Sequence, residues 1–291
     1  MSKSFGSTLV LDRLDWSIEA GSVVGLLGLN GSGKSTLLRC MLGLLKVDTG
    51  EIRIDGEDAW DLSDETKARL SFVDQHPRLF PWMSGSQLLQ HIGSMYPRWN
   101  EQLVCDVAKE WDVPLEKRFG ALSPGQQQKV AILSALGNEP DLLVLDEPVS
   151  SLDPLARRSF LRSLLAITQD ADRTVLLSTH ITSDLERVAS HIAVLNEGQI
   201  RWFDELDELK DRVKRLRLRS RSATLSGNLP DNMTVPNSIR LTVTGKTATA
   251  VVGNWSEETH QKLSQDYDVD VQVEDLNLED IFLEVHDSES R

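Results

Sequence analysis

The chain of 291 residues has little of several things, and each shortage excludes something. Cysteines number two, Cys40 and Cys105, too few for a disulfide-stapled secreted fold and in keeping with inert thiols in a reducing compartment. Long apolar runs are missing: Val23–Leu29, glycines counted, is the longest, far short of the ~20 residues a membrane-spanning helix needs. The start, Met1-Ser2-Lys3-Ser4, lacks the basic-then-apolar profile of a secretory leader, so a cytoplasmic location is expected. Basic residues are outnumbered, 31 lysines and arginines against 45 aspartates and glutamates, for a net charge of −14. So acidic a chain repels nucleic-acid backbones and anionic lipid; no nucleic-acid partner is expected, and any docking at a membrane must be local. Internal repeats and low-complexity segments are absent as well, which excludes two tandem modules in one chain.

What is present is the patterning of an α/β protein. Val23–Gly28, Leu142–Asp146, Val175–Thr179 and Ile192–Leu195 are nearly continuous in Val, Leu and Ile. Strands apolar on both faces belong in a parallel sheet covered by helices, and helical patterns separate these runs. Between Pro77 and Gly120 the texture changes to prolines, aromatics and helical periods at Gln87–Met95 and Glu101–Trp111, read as a helical subdomain inserted at about 77–135. The main domain is expected to span 1–204. From 205 to 291 short alternating strands (Val213–Arg219, Ile239–Thr244, Val269–Val273) and one helix (Ser256–Gln265) indicate a small α/β accessory domain. Its charges are segregated: Lys210, Arg212, Lys214, Arg215, Arg217, Arg219 and Arg221 crowd one stretch, and Asp266–Glu289 holds ten acids. On neighbouring strands the two stretches would face each other as opposite charges.

Gly28-Leu29-Asn30-Gly31-Ser32-Gly33-Lys34-Ser35 matches G-x-x-x-x-G-K-[ST], after an apolar strand and before a helical run that begins at Thr36. Glycines let the amides turn inward around a phosphate at a helix N-terminus; Lys34 neutralises the β- and γ-phosphates and Ser35 can ligate Mg²⁺. Leu142–Asp146 is a buried-strand pattern ending in two acids. Asp146 is placed to hold magnesium through water, and Glu147 to polarise the water that attacks the γ-phosphate. Together these elements predict binding and hydrolysis of MgATP.

Between them lies Leu122-Ser123-Pro124-Gly125-Gln126-Gln127-Gln128, and here the chain resembles the nucleotide-binding subunits of ATP-binding cassette (ABC) transporters. Gln75 matches that family's glutamine loop, Ser151-Leu152-Asp153 its D-loop, and His180 its switch histidine. Phe5 stands where the family stacks an aromatic ring on adenine. The resemblance implies a P-loop cassette core, a mixed sheet with helices. It also implies Glu147, His180 and Gln75 as catalytic groups, with Ser35, Gln75 and Asp146 around the metal. ATP would be met by Phe5, Gly28, Asn30, Gly31, Ser32, Gly33, Lys34, Ser35 and Thr36. The partner subunit's ATP would be met by Ser123, Gly125, Gln126 and Asp153. One chain would therefore hold half of each of two sites in a head-to-tail dimer, with itself or a related ATPase. Pro124 departs from the family's glycine and gives up one donor amide.

Two further readings concern partners. Trp82 and Met83 lie where family members receive a helix of an integral membrane permease, so the region Gln75–Trp111 is expected to dock one on the cytoplasmic face of the membrane. The tail Val271–Glu284, with Leu278-Glu279-Asp280-Ile281-Phe282, resembles the closing segment of stand-alone subunits of drug, antibiotic and bacteriocin exporters, which points to export. The alternative is a soluble cassette ATPase outside transport, acting on nucleic acid or in assembly. Such relatives carry long coiled coils or two cassettes, and neither pattern is present.

Overall fold

The computed structural model describes residues 1–169, 173–221, 228–230 and 232–289. The chain divides into two compact units, Met1–Phe203 and Asp204–Arg291.

The first unit opens with a hairpin, β1 (Lys3–Phe5) and β2 (Thr8–Leu11), before the core strand β3 (Val23–Leu27) and helix α1 (Lys34–Met41). A two-stranded ribbon, β4 (Arg53–Ile54) and β5 (Glu57–Asp58), and the short α2 (Asp64–Ala68) lead to β6 (Leu70–Val73). Three helices follow, α3 (Gly85–Gly93), α4 (Glu101–Glu110) and α5 (Pro124–Gly137). The chain returns through β7 (Leu142–Asp146), α6 (Pro154–Gln169), β8 (Thr174–Thr179), α7 (Thr182–Val188), β9 (His191–Asn196) and β10 (Gln199–Glu205).

Strands β10, β9, β3, β8, β7 and β6 form, in that order, one six-stranded sheet, with β9, β3, β8, β7 and β6 parallel neighbours. The Val/Leu runs form its core: Leu27 is fully buried, and so are Val24, Leu26, Val144 and Leu176, which share one cluster with Leu37 and Leu38 of α1. Register then sets the chemistry. Leu27 lies beside Thr179 and Val194, and Asp146 beside Ser178, so the segments leaving β3, β7 and β8 emerge together at the carboxyl edge. Parallel α/β sheets bind ligands at that edge.

The helices are defined by their caps. Ser84 and Gln87 form a reciprocal capping box on α3, Asn100 caps α4, and Ser123 with Gln126 forms a second box on α5, where Pro124 takes the first helical position. Trp99 packs onto two glycines: a Cβ on Gly93 or Gly137 would come within 2.7 or 2.6 Å of its ring. Trp111 and Phe119 are buried, whereas Phe80 and Trp82 stay exposed.

The second unit contains α8 (Leu206–Arg212), β11 (Lys214–Ser220), β12 (Ser238–Thr244), β13 (Thr247–Val252), α9 (Glu257–Asp266), β14 (Val269–Asp275) and α10 (Leu278–Glu289). Its sheet is antiparallel, in the order β12-β13-β11-β14, over a core that includes Leu216, Leu218, Ala250, Val252, Leu263 and Val269. The basic and acidic stretches do pair. β11 lies against β14 with Lys214–Asp275 at 2.7 Å, Arg217–Glu274 at 2.7 Å and Arg221–Asp270 at 2.7 Å. Arg215 reaches α10 instead, 3.2 Å from Glu284.

Candidate functional site

The loop Gly28–Gly33 turns from β3 into α1 through two left-handed glycines, Gly31 at φ 82° and Gly33 at φ 102°, the latter capping the helix. Gly28 is fixed by proximity: a Cβ there would lie 2.5 Å from Ser32 Oγ and 2.8 Å from the Leu195 carbonyl oxygen. Lys34 is buried, its ammonium donating to the carbonyls of Gly28 at 2.8 Å and Leu29 at 3.2 Å. Burial pushes this lysine below its ordinary pKa, against the pull of the Glu147 and Asp146 carboxylates. Ser35 and Thr36 are half-buried in the first turn, and Asn30 is exposed at the loop tip.

Asp146 and Glu147 sit at the end of β7 and both are buried. Asp146 Oδ1 accepts the Ser178 hydroxyl at 2.7 Å, while its Oδ2 is buried without a hydrogen-bond partner. Glu147 has a left-handed backbone, φ 46°, strained for a side chain of its kind, and its N–H is held by Ser178 Oγ at 2.9 Å. Its carboxylate is divided between two cations or donors: Oε1 lies 3.7 Å from Lys34 Nζ and Oε2 lies 2.9 Å from His180 Nδ1. A carboxylate only accepts, so the imidazole donates through Nδ1. His180 directly follows β8, with its side chain half exposed. Thus Gly28–Thr36, Asp146, Glu147 and His180 come together at one edge. Asp146 Oδ2, buried without a hydrogen-bond partner on a carboxylate that acts on the Lys34 charge, is an oxygen suited to a hard cation or its water.

Ser123, Gly125, Gln126 and Asp153 form a second group. Ser123 Oγ accepts from Gln126 N and Gln126 Oε1 accepts from Ser123 N, at 3.3 and 3.0 Å. A Cβ on Gly125 would sit 2.7 Å from the Ser151 carbonyl oxygen, so the start of α5 lies against the D-loop stretch of the same chain. Asp153 caps α6, and the amides of Ala156, foremost, and Leu155 hold its carboxyl below the usual range. Gln75 is half-buried just past β6. Phe5 ends β1 and is half exposed, with the Lys3 ammonium 5.6 Å from its ring centre. Two groups escape sequence reading. Ser178 is fully buried between the acids, and Gln128, 1% exposed, ties α5 to the Asp74 carbonyl at 3.4 Å. A cavity of about 840 Å³ opens elsewhere, against Leu14, Trp16, Leu142 and Thr174 at the amino ends of the strands. Phosphate chemistry needs converging donors and acids, and those lie at the carboxyl edge.

A glycine-rich strand-to-helix loop with a buried lysine, facing an acid pair on a parallel strand, defines a P-loop ATPase. The sequence profile described as ABC transporter matches residues 11–150. A probable sulfate/thiosulfate import ATP-binding protein of Chlorella vulgaris is 38% identical, with 72% of this chain and 91% of that protein covered. The Nod factor export ATP-binding protein I of Cupriavidus metallidurans is 35% identical over 68% of this chain and 66% of its own length. The bacitracin transport ATP-binding protein BcrA of Bacillus licheniformis is 29% identical over 74% and 71%. Among solved structures, an ATP-binding subunit of an ABC transporter superposes with TM-score 0.65 at 27% identity, covering 72% of this chain and 89% of that one. A dimeric ATP-binding cassette in a post-hydrolysis state bound to ADP and Pi gives TM-score 0.62 at 25% identity, covering 70% and 95%. The chain belongs to the ABC transporter family, as an ATP-binding subunit that hydrolyses ATP. Among the described residues no helix is long and apolar enough to cross a membrane.

Proposed function

We propose that the chain powers export through a separate membrane permease, docked at the cytoplasmic face by the region Gln75–Trp111. The observation that carries the ATPase mechanism is the meeting of Lys34, Glu147 and His180, at 3.7 and 2.9 Å, beside the phosphate loop. In this reading the amides and side chains of Gly28, Asn30, Gly31, Ser32, Gly33, Lys34, Ser35 and Thr36 hold the triphosphate, and Phe5 stacks on adenine. Glu147 accepts the proton of the attacking water. His180 orients the Glu147 carboxylate through its Nδ1–H, and so positions the attacking water. Ser35, Asp146 and Gln75 would hold Mg²⁺, which supplies charge neutralisation across the β- and γ-phosphates. The unpaired Asp146 Oδ2 fits that role.

A second copy, or a related ATPase, would complete each site with its own Ser123, Gly125, Gln126 and Asp153. Closure on ATP and reopening after hydrolysis then move the permease. Export is supported by the tail Val271–Glu284 and by one relative described for Nod factor export; another is described for bacitracin transport, and a third for sulfate/thiosulfate import. Reconstitution with candidate membrane permeases, in vesicles of known orientation, tests the proposal. ATP-dependent movement away from the ATPase side is expected. Movement toward it would make the chain an importer subunit, and ATPase indifferent to any permease would place it outside transport.

A further inference from the structure

We propose that Ser178 is a positioning residue that sets both acids at the end of β7, orienting Asp146 toward the metal and Glu147 toward water. The inference rests on the roles proposed for those two acids. One hydroxyl does both tasks. Ser178 Oγ donates to Asp146 Oδ1 at 2.7 Å and accepts the Glu147 N–H at 2.9 Å, and the residue has no exposure to solvent. The parallel register of β7 and β8, with Asp146 opposite Ser178, places the hydroxyl there.

The bond to Asp146 is an O–H donated to a carboxylate, the short and strong kind. By engaging Oδ1 it fixes the rotation of the carboxylate and leaves Oδ2 as the oxygen free to face a cation. The bond from Glu147 anchors a residue whose left-handed backbone is strained, φ 46°, and which therefore needs its surroundings to hold it. The main-chain oxygen of Ser178 also accepts from the Glu147 N–H, at 3.2 Å. Loss of the hydroxyl should thus slacken Glu147 without releasing it, while Asp146 loses its side-chain donor altogether.

The test compares Ser178→Ala and Ser178→Thr with the unaltered full chain. Three quantities are read: steady-state ATPase, binding of a fluorescent ATP analogue in EDTA, and Mn²⁺ affinity in the presence of ADP by electron paramagnetic resonance. Ser178→Ala is expected to lower kcat and Mn²⁺ affinity by about 10–100-fold, the usual effect of removing a partner of a metal ligand. Metal-free nucleotide binding should stay within about twofold, because the phosphate loop is untouched, and Ser178→Thr, which keeps the hydroxyl, should recover most of the loss. The proposal is overturned if Ser178→Ala retains kcat and Mn²⁺ affinity. It is overturned equally if metal-free binding falls in step with kcat, since that is general damage to the fold. An unaltered chain with no ATPase would instead sink the assignment of Asp146 and Glu147.

Discussion

Lys34 Nζ lies 3.7 Å from Glu147 Oε1, and the two side chains are only 7% and 6% exposed. Each charge is compensated by the other, and breaking such a pair from one side leaves an uncompensated buried charge. Glu147→Gln removes the charge and keeps the shape. Turnover is expected to fall by about 100-fold or more, the contribution of a general base, while ATP stays bound and holds two copies together. Phosphate release and size-exclusion chromatography with ATP check both halves; undiminished turnover would remove Glu147 as the base.

Gly28→Ala tests the loop by space alone. The added methyl would meet Ser32 Oγ at 2.5 Å and the Leu195 backbone oxygen at 2.8 Å, and the backbone cannot yield cheaply. A stability cost of about 1–3 kcal/mol is expected from overpacking. ATP affinity by calorimetry should drop at least tenfold, about 1.4 kcal/mol, because the same shift displaces the carbonyl that holds Lys34.

Pro124 leaves the first turn of α5 short of donors. Gln126 N–H is taken by Ser123 Oγ and Gln127 N–H by the Ser123 carbonyl, so the Gly125 amide and the Ser123 hydroxyl are what this turn can offer a phosphate. Pro124→Gly adds one amide at the cost of helix stability, on the order of 1 kcal/mol. In the Glu147→Gln background it should tighten the ATP-dependent dimer, read as a lower dissociation constant in analytical ultracentrifugation.

Trp82 is 63% exposed and lies 5.4 Å, centre to centre, from the ring of Phe80. Trp82→Ala should change stability by no more than about 0.5 kcal/mol, as surface substitutions do. If this patch docks the permease, transport in reconstituted vesicles falls while basal ATPase and nucleotide affinity persist. Unchanged transport refutes the docking assignment.

Leu216 is fully buried in the core of the second unit. Leu216→Ala should cost about 2–5 kcal/mol there. Hydrogen exchange should show lost protection in β11, β13 and β14, with ATP affinity unaltered, since the residues proposed to hold ATP all lie in the first unit.

The chemistry that is written locally could be read from the sequence. The phosphate loop needs its glycines, lysine and serine in one short stretch, the acids follow directly from their strand, and Ser123 stands next to Pro124 and the helix it caps. Ser178 could not be read that way, because its role comes from β8 lying beside β7, a lateral relationship between residues 32 positions apart. The one local sign was a serine where an apolar strand ends ahead of Thr179 and His180. Strand β13 also went unread: Thr247-Ala248-Thr249-Ala250 alternates between small residues, whose burial is dictated by Leu216 and Leu218 opposite rather than by their own hydrophobicity. Phe5 closes the three-residue strand β1, which is too short to show an alternation of its own in the sequence.

The order of strands in the second unit leaves β14 at one edge of its sheet. An edge strand offers unpaired backbone groups to any similar strand it meets, the usual route to edge-to-edge aggregation. Here Asp270, Glu274 and Asp275 line that strand, while their basic counterparts sit one strand inward, Lys214 and Arg217 on β11 and Arg221 directly after it. Two such edges approaching each other would bring acid against acid. The same charges that join β14 to its own sheet thus make it a poor template for a second molecule's.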